Sequence, residues 1–494
     1  MGSRSSIPDP RSPLGRSSTS SSRPYTASAA LLTALFVFVV PSVAIVTDFS
    51  VFRLLVAAVL AYALAVYWLD AAFEGACAAV IVLAVFNITA SAVVPVTGGR
   101  SVRIVDVLLV GTLCWLLARR QYAPFSSLRK SGRLIVAFFL IFVLWTFLAG
   151  VVGNGPSSEA AFLYARAQFR YGLLCVTAAL LVETTDVRSV LYPLVVALGG
   201  SLAFAVDEIF SGASGYPSHF GALGTTLQGI WPTPSLTSFP VDSSILYAGP
   251  PVGQNRIVVG MAIFFVPLVV AAVARSRLHP ALSVAGVLGV VSVLASTADS
   301  AYIALCVAIA VVAVYWCHVV LGRYGLSRAQ SLFLPLSMLV GAIAILWGIG
   351  AIAAGREEIL FVQTNHLGVR LREYAVAVDV AARYPLFGVG GGENFERLMD
   401  RRWGVHNLFL ANLVATGVPG FLAYVFSVIG ATWLCVERLL RSGLDERWIW
   451  VGVLAAVLGF YAYAFWTIAF QRETLNAVYW ILVGTTIGAS WGGQ

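Results

Sequence analysis

The chain has 494 residues, 59% of them hydrophobic and only 11% charged, with a mean hydropathy of +0.87. A water-soluble protein carries about a quarter charged residues, so one soluble core is excluded and lipid is left to cover the apolar surface. The net charge of +8 comes from 31 basic and 23 acidic residues, but these alternate with apolar runs and form no basic stripe, which excludes nucleic acid as a partner.

Residues 1–25 are rich in Ser, Pro and Arg and too polar to fold alone, so they are expected to form a disordered tail. No small-residue cleavage site follows the first apolar run, which argues against a signal peptide. Arg4, Arg11, Arg16 and Arg23 keep the tail cytoplasmic by the positive-inside rule.

Apolar runs then predict spans near 27–46, 51–69, 74–95, 104–118, 133–152, 162–182, 189–210, 255–274, 281–298, 300–321, 332–353, 419–437, 448–469 and 474–491. The expected fold class is an all-α polytopic membrane protein with about 12–14 transmembrane helices and a partly helical extracytoplasmic cap. With the tail inside, the alternate short loops carry Arg119, Arg120, Arg129, Lys130, Arg133, Arg188, Arg275, Arg277, Arg323, Arg328, Arg438, Arg441 and Arg447 on the inner side. Two long segments, 211–254 and 354–418, then fall outside. The organisation read from this is a tail (1–25), an N-terminal membrane domain (26–353) containing the outer loop 211–254, a large outer loop (354–418) and C-terminal helices (419–494) in the inner (plasma) membrane. The cysteines (Cys77, Cys114, Cys175, Cys306, Cys317 and Cys435) all lie in apolar runs without metal spacing and read as core residues.

The 354–418 segment departs from the charge rule. It holds Arg356, Arg370, Arg372, Arg383, Arg397, Arg401 and Arg402 on the outer side, where topogenesis gives them no reason to be. A solvated, salt-bridged cap accounts for part of that set. Arg370 opens an apolar-periodic stretch, 371–378, that predicts a helix lying over the membrane surface, with a guanidinium at its start suited to phosphate. The turn Tyr384-Pro385-Leu386-Phe387-Gly388-Val389 and the glycines Gly390-Gly391-Gly392 follow, either as a connector or as a place where backbone approaches a bulky ligand. They lack the spacing of a nucleotide P-loop. From Asn407 to Thr416 the periodicity is again helical, and Gly417-Val418-Pro419-Gly420 ends that helix before the next span. His406 therefore stands at a helix start on the water–lipid boundary, as a candidate base or as a plain interfacial histidine.

The run His406-Asn407-x-x-Leu410, then Gly417-x-x-Gly420, preceded by Arg370-x-x-x-Tyr374 and Pro385-Leu386-Phe387-Gly388-Val389-Gly390, resembles the O-antigen ligase / O-antigen polymerase superfamily. The likeness covers roughly residues 160–440 and is strongest over 365–425. It implies a multi-spanning glycosyltransferase that moves a glycan from an undecaprenyl-diphosphate carrier to an acceptor hydroxyl on a glycan or glycolipid, without metal or nucleotide cofactor. By position, it implies that Arg370 binds the diphosphate and His406 activates the acceptor, with Asn407 and Tyr374 in support. Arg170, at the outer end of the 162–182 span, resembles a second family arginine facing the same cavity, with Arg166 one turn before it; a snorkelling interfacial arginine is the alternative. Arg256, opening the 255–274 span, is a further candidate for the diphosphate. Two departures stand out: Tyr374 where members often carry Trp, and Asp299-Ser300-Ala301 where they often carry Ser-Arg, which leaves Asp299 to hold a sugar hydroxyl or pair with an arginine.

Ligase and polymerase differ only in acceptor, and the 211–254 loop is where acceptor preference would be encoded. The competing reading is a polysaccharide or lipid transporter or flippase, which calls for ionisable groups at span centres and broken helices in related halves. A structural or receptor membrane protein is the third.

Overall fold

The computed structural model describes residues 93–96, 100–103, 109–110, 130–184, 262–271, 299–323, 364–392, 394–398, 405–466 and 473–490, with isolated positions between 187 and 199 and between 286 and 290. The tail, the spans before residue 93, the 211–254 loop, the 332–353 span, Arg256, Arg356, Arg401 and Arg402 lie outside the described residues. The described part is helical: α1 (Lys130–Val152), α2 (Ser158–Thr184), α3 (Asp299–Arg323), α4 (Thr364–Arg383), α5 (Asn394–Leu398), α6 (Leu408–Arg441), α7 (Leu444–Trp466) and α8 (Glu473–Ala489). Among the described residues four helices are long and apolar enough to cross a membrane, Ser131–Val152, Ile303–Leu321, Leu408–Arg441 and Glu446–Trp466. The all-α polytopic membrane fold expected from hydropathy is the one observed.

One small sheet interrupts it. Val93–Val96 (β1) pairs antiparallel with Arg100–Arg103 (β2), Val93 opposite Arg103 and Val96 opposite Arg100. The last residues of the expected 74–95 span, Val93 to Pro95, are thus strand. Valine is apolar enough to extend a hydropathic run but prefers a strand, and Thr97-Gly98-Gly99 supplies the turn chemistry of a hairpin.

Lipid tails are as apolar as leucine, so membrane helices associate through close packing rather than water exclusion, and small residues let backbones approach. α8 meets α2 in this way. A Cβ on Gly484 or Gly488, four residues apart, would overlap the backbone oxygens of Cys175 and Ala179. Gly172 of α2 meets the Phe139 ring of α1, Gly430 of α6 meets Ile135 of α1, and Gly459 of α7 lies against Ala304 and Ala308 of α3. Outward from these seams Leu144, Val151 and Trp433 are exposed, as lipid-facing side chains should be.

α6 is two helices in line. Gly417 has φ 67 and ψ −174, and Pro419 follows inside the helix. The left-handed φ favours glycine and the proline removes a donor, so the break that the sequence predicts is present. α1 is bonded to the break: Trp145 Nε1 donates to Thr416 O at 2.9 Å, while its ring stacks on Phe387 at 5.1 Å. The 385–389 turn is bonded alongside, with Val418 N donating to Pro385 O (2.7 Å) and Val389 N to Val414 O (2.9 Å). The turn thus docks α4 against the first half of α6.

α6 and α7 run antiparallel through a tight connection in which Arg447 Nε donates to Ser442 O at 2.9 Å. The start of α6 and the end of α7 consequently lie on the same side, and that side carries the candidate site.

Candidate active site

Asn407 forms the floor. It is the N-cap of α6, with Oδ1 accepting from Phe409 N (2.9 Å) and Leu410 N (3.0 Å). Asparagine is chosen here because a short side-chain oxygen satisfies helix-start N–H groups that have no intrahelical partner. His406 is the residue immediately before the cap, so its backbone is fixed by the helix start.

α4 crosses above it. Two consecutive residues of this helix both hold His406. Glu373 Oε2 lies 2.8 Å from His406 Nδ1. Tyr374 Oη lies 3.0 Å from His406 O and 2.9 Å from Phe465 O, at the end of α7. A hydroxyl has one proton, so it is shared between the two carbonyls. The Asn407 side chain also bonds the phenol; with Oδ1 occupied by the helix, its NH2 is the donor. Burial pushes the Tyr374 phenol up, against a smaller lowering by Arg370, so at neutral pH it remains a donor. Glu373 is tucked in, with its side chain 9% exposed, whereas the His406 side chain is 24% exposed. The imidazole, not the carboxylate, is the group open to a substrate.

Arg370 stands one turn before this pair, so it faces the same side of α4. Its guanidinium lies over the Trp466 ring, 5.9 Å from the centroid, a cation–π distance. Half-buried and planar, it keeps a fork of N–H donors suited to phosphate oxygens.

Two expectations need correction. Arg370 does not open its helix: α4 begins at Thr364, and the preceding polar residues had hidden that first turn from an apolar-periodicity reading. Any anion affinity of Arg370 comes from its own charge and not from a helix N-terminus. Arg170 does not stand at the start of its helix. Ser157 caps α2, its Oγ accepting from Ala160 N at 3.2 Å, so Arg170 lies about 18 Å along the helix from Ser158. It is 7% exposed. An arginine buried among helices does not have the solvent-reaching head of a snorkelling one, and a buried charge calls for a partner. Arg166, one turn earlier, is partly buried. α2 reaches the His406 helix through a buried hydrogen bond from Tyr164 Oη to Asn412 Oδ1. Asp299 opens α3, but its side chain is outside the described residues.

The glycine run packs against protein. Gly388, Gly390 and Gly392 all have positive φ, and a Cβ on Gly391 would overlap the Tyr164 ring. Asn394, fully buried, pairs with the backbone of Ser157 in both directions, at 2.8 Å to its N and 2.9 Å to its O. The run thereby joins α4 to the start of α2. A cavity of about 20 Å³ lies beneath it, lined by Tyr164, Phe395, Val405 and Val414 among others, which holds about one water and no glycan.

Sequence reasoning missed Glu373 and Trp466. Glu373 stood among seven acidic residues of its segment, and Trp466 belonged to a distant span; only folding brings them to His406.

These elements define a helical membrane protein with a histidine–carboxylate pair and an arginine collected at one end of a helix pair. Residues 284–425 match the family model described as O-Antigen ligase. That match spans α3, α4 and His406, and it supports the O-antigen ligase / O-antigen polymerase superfamily that the motifs pointed to. No curated protein matches the chain.

Proposed function

We propose that the protein transfers a glycan from an undecaprenyl-diphosphate carrier to the hydroxyl of an acceptor glycan or glycolipid, on the outer face of the plasma membrane, as a ligase or polymerase of cell-surface polysaccharide. The observation that carries this reading is the placement of Arg370 and His406 together, a cation for the leaving group and a base for the nucleophile.

In the reaction the acceptor oxygen attacks the anomeric carbon and its proton passes to His406 Nε2. The bond from that carbon to the diphosphate oxygen breaks, and the electron pair leaves with the diphosphate. Charge grows on the leaving group, so a guanidinium in a partly buried site stabilises the transition state more than the ground state. Arg370 fills that role, and Arg170 and Arg256 are further diphosphate ligands in the proposal, with Arg166 supporting. A positioned general base contributes typically 10²–10⁴-fold. No metal enters the scheme.

The test is incubation of purified full-length protein with a lipid-diphosphate oligosaccharide and candidate acceptors. The expected products are a new glycoside and free lipid diphosphate in equal amounts. Lipid carried across a bilayer with its glycan still attached would favour the flippase reading instead.

A further inference from the structure

Among the described residues, the Glu373 carboxylate is directed at His406. The two are 33 residues apart in sequence, so the pairing is a product of docking α4 over the start of α6 and not of local helix geometry. Arg370, three residues earlier on the same helix, is engaged with the Trp466 ring. The carboxylate is the more buried partner, at 9% against 24% for the imidazole, which removes it from direct contact with a glycan. The next residue, Tyr374, holds the main-chain oxygen of the same histidine, and Asn407 fixes the backbone just after it. His406 is thus gripped at its ring, at its carbonyl and at the following helix cap. Holding a surface histidine at three points is unnecessary unless the direction of its ring matters.

We infer that Glu373 is the positioning residue for His406: it accepts the Nδ1 proton and so leaves the Nε2 lone pair free for the acceptor hydroxyl. A carboxylate can only accept, so a neutral imidazole 2.8 Å from it carries its proton on Nδ1. In the transfer step the hydroxyl proton goes to Nε2, and Glu373 takes no proton; it balances the imidazolium that forms. This role rests on the proposed function for its consequence in catalysis, but the tautomer it imposes is a property of the resting protein.

The test therefore has two readouts. The first is nitrogen NMR of full-length protein labelled with 15N-histidine in lipid, with His406 assigned by difference from His406→Gln. Wild type is expected to show the Nδ1–H form at a pH where the ring is neutral, and Glu373→Gln, whose amide has no such fixed preference, is expected to shift toward the Nε2–H form. The second is kinetic. Glu373→Gln should lower kcat by about tenfold or more while leaving the KM for the lipid donor within about twofold, and Glu373→Asp should recover part of the loss. A wild-type His406 in the Nε2–H form overturns the inference without reference to any variant. So does a Glu373→Gln protein with unaltered kcat. If the tautomer behaves as expected but no glycan is transferred by wild type, the positioning role stands and the proposed function fails.

Discussion

Tyr374 Oη lies 3.0 Å from the main-chain oxygen of His406 and 2.9 Å from that of Phe465, so one phenol joins α4, the start of α6 and the end of α7. Tyr374→Phe keeps the ring and loses this junction. A net hydrogen bond is worth about 0.5–1.5 kcal/mol, more where a buried carbonyl is left bare, so thermal stability should fall modestly and transfer by roughly tenfold, about 1.4 kcal/mol of transition-state energy. Differential scanning fluorimetry with a transfer assay checks both.

The pH dependence of Tyr374 follows from the direction of its shift. Burial favours the neutral phenol, and an acid with a raised folded pKa contributes stability that is present below its unfolded pKa, near 10, and lost as pH rises through the folded value. The junction should hold throughout pH 6–9. Tyr374 should therefore add no limb of its own to the activity profile in that range, and a limb there that Tyr374→Phe abolishes would contradict the assignment.

Asn407→Ala removes an N-cap whose oxygen accepts two bonds. The expected loss is about 1 kcal/mol, with Asn407→Asp or Asn407→Ser keeping most of the cap's stability. Because the cap adjoins His406, transfer should fall alongside stability, as paired melting and rate measurements would show.

Gly391→Ala sets a methyl group into the Tyr164 ring. Overpacking of this kind typically costs about 1–3 kcal/mol. Gly443→Ala, with nothing within 4 Å of the added carbon, is the matched control and should melt like wild type.

The spans were legible where an apolar run stood clear: 133–152 lies within α1, 300–321 within α3, and the helix start at Asn407 with its break at Gly417 was readable from apolar periodicity and breaker chemistry. The hairpin at Val93–Val96 was not, because hydropathy weighs valine alike in strand and helix. The first turn of α4 was hidden because it opens on the polar Thr364, Asn365 and His366, which give apolar periodicity nothing to register. His406 and Arg370 could be chosen from residue type and order. Glu373 could not, since its meaning comes from a 2.8 Å contact made by docking, and chain position carries no trace of that.

The central claim is that His406 and Arg370 act on one bond. The most direct measurement is glycan transfer from a lipid-diphosphate donor by purified wild type, His406→Ala and Arg370→Ala, each first shown to melt like wild type. His406→Ala should lose about 10²-fold or more in kcat, and Arg370→Ala should lose transfer with weakened use of the donor. Both variants working at the wild-type rate would contradict the account.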